Sequence, residues 1–164
     1  MLLSKTPFRI SFAGGGSDYF NNLSDIKGRV LVTTIDKYIY VALNERYNDE
    51  YRISYSETEV TKSLEKIKHE IIRNTLQFYK INNGMEIVTI ADIPSSGSGL
   101  ASSSALTVGL VNLLNKYKNK KISKKNMAEQ ACLIEIKKCK KPIGMQDQYS
   151  TTFGGLNRFE FYHL

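Results

Sequence analysis

The stretch "MEIVTIADIPSSGSGLASSSALTVGLVNLL", Met85 to Leu114, joins three sequence patterns without a break. "MEIVTIADI" is an apolar run rich in Ile, Val and Thr, the composition of a buried strand. Leu106, Leu110, Leu113, Leu114 and then Tyr117 recur at helical spacing. Between them lies "IPSSGSGLASSS" (Ile93–Ser104), nearly all serine and glycine. A linker would separate two independent units, whereas here strand and helix abut a connector of about ten residues, and such connectors inside compact domains are short or functional. A helix N-terminus carries unpaired N–H groups and partial positive charge, so a loop of small residues there lets a phosphate approach the backbone. Serine hydroxyls add donors and one possible ligand for Mg²⁺. Neither Gly-Lys-Ser/Thr nor G-x-G-x-x-G occurs, which excludes a Walker A loop and a Rossmann fingerprint.

Upstream of the loop, "KTPFRISFA" (Lys5–Ala13) alternates as a half-buried strand does and stops at Gly14-Gly15-Gly16. "GRVLVTTIDKYIYVALNE" and "YRISY" are rich in Val, Ile, Thr and Tyr, and predict two or three antiparallel strands with "RYNDE" as the turn before the last. From Ser56, Val60, Leu64, Ile67, Ile71, Leu76 and Tyr79 predict an amphipathic helix, with Glu57 and Glu59 in its first turn and "NNG" (Asn82–Gly84) at its end. Downstream, Ser123 can cap a third helix through about Lys138, and "GGLNRFEFYH" predicts a glycine turn and a last strand. The order is mixed α and β without internal repeats.

At 164 residues the chain is one domain by length, with a globular composition of 41% hydrophobic and 24% charged side chains. Lys and Arg exceed Asp and Glu by 23 to 16, a formal charge of +7 that suits an anionic partner without choosing one. Much of the excess lies in "KYKNKKISKK" (Lys116–Lys125) and "KKCKK" (Lys137–Lys141), which read as solvated faces or helix ends. Base-reading aromatic and glycine patterns are lacking, which argues against nucleic acid as partner. Cys132 and Cys139 share one predicted helix, too few and too poorly spaced for a disulfide framework or a zinc site. The longest apolar-rich run, "ALTVGLVNLL", is too short to span a bilayer and no signal segment opens the chain, so the cytoplasm is the expected location.

Three places narrow the chemistry. Glu135 shares a helical face with Ala128, Ala131, Cys132 and Cys139, which buries its carboxylate among small groups; a buried charge needs a partner, either a nearby lysine or a metal ion at the loop. Asp147 lies in "PIGMQDQYSTTFGG", which reads either as a surface loop or as a site lining whose carboxylate accepts a proton in phosphoryl transfer. In "TPFRISFAGGGSDY", Arg9 and Asp18 flank a triple glycine; Asp18 suits either a grip on sugar hydroxyls or phosphate, or an Asx-capped turn.

These residues together give the chain a resemblance to the GHMP kinases, named after galactokinase, homoserine kinase, mevalonate kinase and phosphomevalonate kinase. "PSSGSGLASSSAL" resembles their Pro-x-x-x-Gly-Leu-Gly-Ser-Ser-Ala phosphate loop, "TPFRISFAGGGSDY" their first motif, and "GMQDQYSTTFGG" the segment bearing their catalytic aspartate. The form "GGGSDY" is most similar to the branch with heptose 7-phosphate kinases and the fucokinase domain. The resemblance implies an α+β, two-layer ribosomal protein S5 domain 2-like fold, with residues 1–164 as the N-terminal, ATP-binding domain and nothing matching the C-terminal domain. It implies ATP and Mg²⁺ as cofactors and a sugar or sugar phosphate as partner, with self-association or a completing C-terminal domain as a further expectation. By position, Asp147 orients or deprotonates the acceptor hydroxyl and Arg9 stabilises charge beside it. Pro94 and the run Gly97, Ser98, Gly99, Leu100, Ala101, Ser102, Ser103 and Ser104 wrap the nucleotide, and Ser103 and Glu135 hold Mg²⁺. Gly15, Gly16, Ser17 and Asp18 join Arg9 and Asp147 at the acceptor. Two departures stand out. Ala101 replaces a usual glycine, and Gly15-Gly16 stand where galactokinase-like members carry Glu and His, which points away from galactose and toward an acceptor that already bears phosphate.

Overall fold

The computed structural model describes residues 1–19, 28–94 and 97–162; Ser95 and Ser96 of the loop, and His163 of the last predicted run, lie outside them. Among the described residues six strands form one sheet: β1 (Leu2–Ala13), β2 (Gly28–Glu45), β3 (Tyr51–Ser54), β4 (Thr58–Thr61), β5 (Met85–Ala91) and β6 (Leu156–Phe161). The order is β1-β2-β5-β3-β4, with β6 on the first half of β2 and β5 on its second half. Four α-helices, α1 (Glu70–Phe78), α2 (Ser102–Tyr117), α3 (Lys124–Cys132) and α4 (Gln146–Phe153), pack with the sheet, α2 lying against β1 and β2.

The core is the helix-facing side of the sheet. Val41 and Leu43 of β2, Ile53 of β3, Ile87 of β5, Ile72 and Leu76 of α1, and Leu110 and Leu114 of α2 are almost wholly shielded from solvent. Burial of each such side chain favours folding by about 1.5–3 kcal/mol. Val30, Val32 and Phe161 form a smaller cluster with Tyr149 and Phe159, which seats α4 over the β2–β6 end.

A register shift positions the site. Pro7 pairs with Tyr38 but Arg9 pairs with Thr34, so β2 carries extra residues opposite Phe8. Bulges of this kind re-aim side chains. Ser4, Thr6 and Phe8 face the core; beyond the bulge Arg9 is buried too, and it points at α4.

Two sequence expectations are corrected. The helix predicted from Ser56 begins at Glu70: Thr58–Thr61 is a strand paired with β3, and Leu64–Lys66 is a 3₁₀ turn. The β-branched "TEVT" favours the ladder over a helix. Glu59, expected in the helix's first turn by sequence, reaches that turn through space, accepting from the Lys68 and His69 amides at 2.7 and 3.1 Å. Likewise "RYNDE" does not close a hairpin onto β2, because β5 inserts between β2 and β3 and runs parallel to β3. A third difference is the segment 146–153, which reads as surface loop or site lining in the sequence and is helical in the structure. Among the described residues no helix is long and apolar enough to cross a membrane.

Candidate active site

Residues 97–101 of the serine-glycine loop lead onto the N-terminus of α2. Gly97 and Gly99 take φ of +74° and +67°, and Ala101, which precedes the helix, takes φ 64° and ψ 34°, the left-handed conformation that glycine adopts without cost. Ser98 Oγ lies 3.2 Å from Ser102 Oγ across the turn. The loop is held from β1: the Arg9 amide donates to Leu100 O at 3.2 Å and Arg9 Nη1 to Gly99 O at 2.7 Å.

The rest of the Arg9 guanidinium goes to Asp147, Nε at 2.8 Å and Nη2 at 2.6 Å, both on Oδ1. One side chain thus ties the loop to the carboxylate. Asp147 lies in the first turn of α4, where a helix N-terminus favours an acid. Burial nonetheless raises its pKa above the ordinary carboxylate value; Arg9 opposes the rise and the Asp18 and Glu135 carboxylates add to it.

Glu135 is fully buried and is the hub below the loop. Its Oε1 accepts from the Ser103 hydroxyl and faces Lys141 Nζ at 3.4 Å; its Oε2 accepts from Ser104 Oγ at 2.7 Å and Gln148 Nε2 at 2.6 Å. Ser104, expected to wrap phosphate, is buried with its hydroxyl engaged on this carboxylate. The nearby lysine weighed as Glu135's partner is real, and it sits beside the proposed metal ligand, since Lys141 Nζ also donates to Ser103 Oγ at 2.7 Å. Among the described residues no group of three or more His, Cys, Asp or Glu could hold a metal. One carboxylate and one hydroxyl are nevertheless hard oxygen donors of the kind Mg²⁺ uses when phosphates and water supply its other ligands, so the pair fits that ion.

Asp18 is 1% exposed and does not project into solvent. Its Oδ2 accepts the Gln146 amide at 2.7 Å and its Oδ1 the Gln146 side-chain amide at 3.2 Å, so it fixes the start of α4. Gly144 permits this: a Cβ there would lie 2.1 Å from Asp18 Oδ2. The triple-glycine turn is closed instead by Ser17, whose amide and hydroxyl both donate to Gly14 O, at 3.0 and 2.6 Å.

One cavity reaches the α2 N-terminus at Ser103 and another reaches Asp147. One, of about 510 Å³, is lined by Ile39, Tyr55, His69, Ile93, Pro94 and Ser103; burial lowers the pKa of His69 and favours its neutral form. The other, of about 390 Å³, is lined by Gly16, Asp18, Tyr19, Gly144, Gln146 and Asp147. Hydrogen bonds thus bring together Arg9 with Gly99 and Asp147, and Ser103 and Ser104 with Glu135 of the π-helical segment Leu133–Lys138. Sequence reasoning offered a lysine partner for Glu135 without singling out Lys141, and it missed Gln146 and Gln148. Lys141 was hidden in a lysine-rich run, and the glutamines gave no signal beyond flanking Asp147.

Residues 60–155 match the family model described as the GHMP kinases N-terminal domain. The chain is 33% identical over 172 residues to D-glycero-alpha-D-manno-heptose 7-phosphate kinase of Campylobacter jejuni, covering 98% of this chain and 50% of that protein. It superposes on a D-glycero-D-manno-heptose 1-phosphate kinase from Bacteriodes thetaiotaomicron with TM-score 0.88 at 29% identity, over 98% of this chain and 56% of that one. The Methanococcus jannaschii mevalonate kinase shares the fold, at TM-score 0.75 and 20% identity over 97% of this chain and 53% of the other. The chain spans about half the length of these relatives.

Proposed function

The chain belongs to the GHMP kinase family, and from that premise we propose that it is the ATP-binding half of a sugar kinase acting on a heptose phosphate. The observation that carries the reading is the Arg9 bridge, which links Gly99 of the phosphate loop to Asp147. The larger cavity, where Ile39, Ile71, Ile93 and Leu106 stand beside Tyr55, His69, Asp92 and Ser103, suits a nucleoside whose phosphates then reach the α2 N-terminus. The cavity at Asp147 suits the acceptor. Arg9 takes Asp147 Oδ1, leaving Oδ2 to orient the acceptor hydroxyl and receive its proton as that oxygen bonds to the γ-phosphorus and the bond to ADP breaks. Arg9 then stabilises charge on the transferring group, and loop amides hold the phosphates. Ser103 and Glu135 would hold Mg²⁺, which neutralises phosphate charge when bound.

Two of the relatives named above, the more similar ones, are a heptose 7-phosphate kinase and a heptose 1-phosphate kinase, which supports an acceptor already bearing phosphate. Gly15-Gly16 agrees: no acidic side chain stands at these two positions to repel a phosphate. The test is transfer of labelled γ-phosphate from Mg·ATP to heptose 7-phosphate, heptose 1-phosphate, fucose and galactose, with Asp147→Asn alongside. Transfer to a heptose phosphate, abolished in the variant, is the expected result. ATP binding with no transfer to any sugar would reduce the reading to a nucleotide-binding module.

A further inference from the structure

Lys141 is placed by an unusual helix end. Residues Leu133–Lys138 continue α3 as a π-helical turn, in which the Cys139 amide bonds Ile134 O at 2.8 Å. Lys140 then turns the chain with φ 53°, and the Lys141 amide returns to Glu135 O at 3.1 Å. In an α-helix this closing bond would land one residue later. The wider turn therefore sets Lys141 over Glu135 itself, consistent with π-turns marking functional sites.

The side chain completes the arrangement. Lys141 Nζ is 2.7 Å from Ser103 Oγ and 3.4 Å from Glu135 Oε1, the two groups assigned above to a divalent ion, and its side chain is 25% exposed while that of Glu135 is fully buried. The ammonium thus supplies, without metal, the positive charge a buried carboxylate requires. An ammonium and a divalent ion cannot share these oxygens, and the lysine stem is long and flexible enough to leave.

We infer that Lys141 is a resident cation that holds the Ser103–Glu135 pair in the nucleotide-free protein and moves onto the nucleotide's phosphate oxygens when a divalent ion takes its place. The inference rests on the reading of Ser103 and Glu135 as metal-holding residues. It assigns Lys141 two opposite effects: competition with metal alone, and attraction for metal with nucleotide. An ion pair serving only structure would produce neither opposition.

The experiment measures Mn²⁺ binding to the 164-residue chain by electron paramagnetic resonance of the free ion, with and without a non-hydrolysable ATP analogue. Lys141→Met should bind Mn²⁺ alone about tenfold more tightly than wild type, because a competing charge is gone. It should bind the Mn²⁺–analogue complex about tenfold more weakly, because a charge-assisted contact is lost. Lys141→Gln, which keeps a donor for Ser103 without the charge, carries the same expectation if the methionine variant does not fold. In wild type, acetylation of the Lys141 amine, followed by mass spectrometry, should rise with Mn²⁺ alone and fall when the analogue is added. If both affinities move in one direction, or neither moves, the inference is overturned while the metal site stands. If Glu135→Gln leaves Mn²⁺–analogue affinity unchanged, the metal reading itself fails and this inference with it.

Discussion

Ala101 shows how a single residue can hold a loop at a cost. A Cβ in the left-handed region costs roughly 1–2 kcal/mol, partly offset because alanine restricts the unfolded chain more than glycine does. Ala101→Gly should therefore stabilise the protein by about 0.5–1 kcal/mol in urea unfolding, and an unchanged midpoint would contradict the strain assigned to φ 64°. Asp147 sets a second residue-scale expectation. Its folded pKa is raised above 3.8, so between the unfolded and folded values the native state binds more protons than the unfolded chain, and its contribution to stability falls as pH rises through that window. Asp147→Asn removes this contribution: the stability gap between variant and wild type should widen in the variant's favour from about pH 4 upward and then level off. A gap independent of pH would mean that Arg9 cancels the effect of burial, and a gap that moves in the wild type's favour as pH rises would mean that Arg9 governs the carboxylate. Gly15 tests acceptor choice cleanly, because the nearest atom to an added Cβ is Ser11 Oγ at 3.9 Å and its φ is ordinary. Gly15→Glu should weaken KM for heptose phosphates by about tenfold while leaving neutral sugars unchanged, since only the former meet a like charge. An equal loss for both would remove the phosphate argument.

At the scale of elements, the site depends on how β1 and α4 meet. Asp18 and Gly144 form one contact seen from two sides, so their substitutions should not add. Gly144→Ala alone should cost about 1–3 kcal/mol, because the new methyl overlaps a carboxylate that is itself fixed. In an Asp18→Ala background the further cost should drop by at least about 1 kcal/mol, a coupling that a double-mutant cycle of urea midpoints measures directly. The sequence exposed such elements unevenly. Strand β5, the loop and α2 were legible because strand composition gives way to helical periodicity across a serine-glycine run, and Ser123 was legible as a cap, accepting the Asn126 amide at 3.1 Å. Residues 56–69 were not, because Val60 and Leu64 mimic a helical period although Val60 sits on an exposed strand. Helix α4 was missed for the opposite reason: "QDQYSTTF" is polar and β-branched, and it is helical because Asp18 fixes its first turn and Tyr149 packs on Phe159 and Phe161. Arg9, Glu135 and Asp147 could be singled out as charges in apolar or glycine-rich surroundings. Lys141 and Gln148, the partners of Glu135, and Gln146, the partner of Asp18, depended on π-turn and long-range packing that no local pattern encodes.

For the whole molecule, the loop and its hub are continuous with the main core. Leu100 packs against that core, and α2 carries the loop at one end and Leu110 and Leu114 along its length. A ligand gripping the α2 N-terminus should therefore resist global unfolding rather than stiffen a detached flap. Mg²⁺ with a non-hydrolysable ATP analogue at a hundred times its Kd should stabilise the native state by about 2.7 kcal/mol. For a chain of this size that raises Tm by roughly 5–11 °C, at about 2–4 °C per kcal/mol. Far-ultraviolet circular dichroism and tyrosine absorbance, the latter drawing on ten tyrosines spread through the chain, should report the same shifted midpoint. Ser103→Ala combined with Glu135→Gln should abolish most of the shift. A shift seen by only one probe would mean that the nucleotide orders the loop locally and that the core does not carry its binding energy; no shift in wild type would remove the nucleotide from the proposed function.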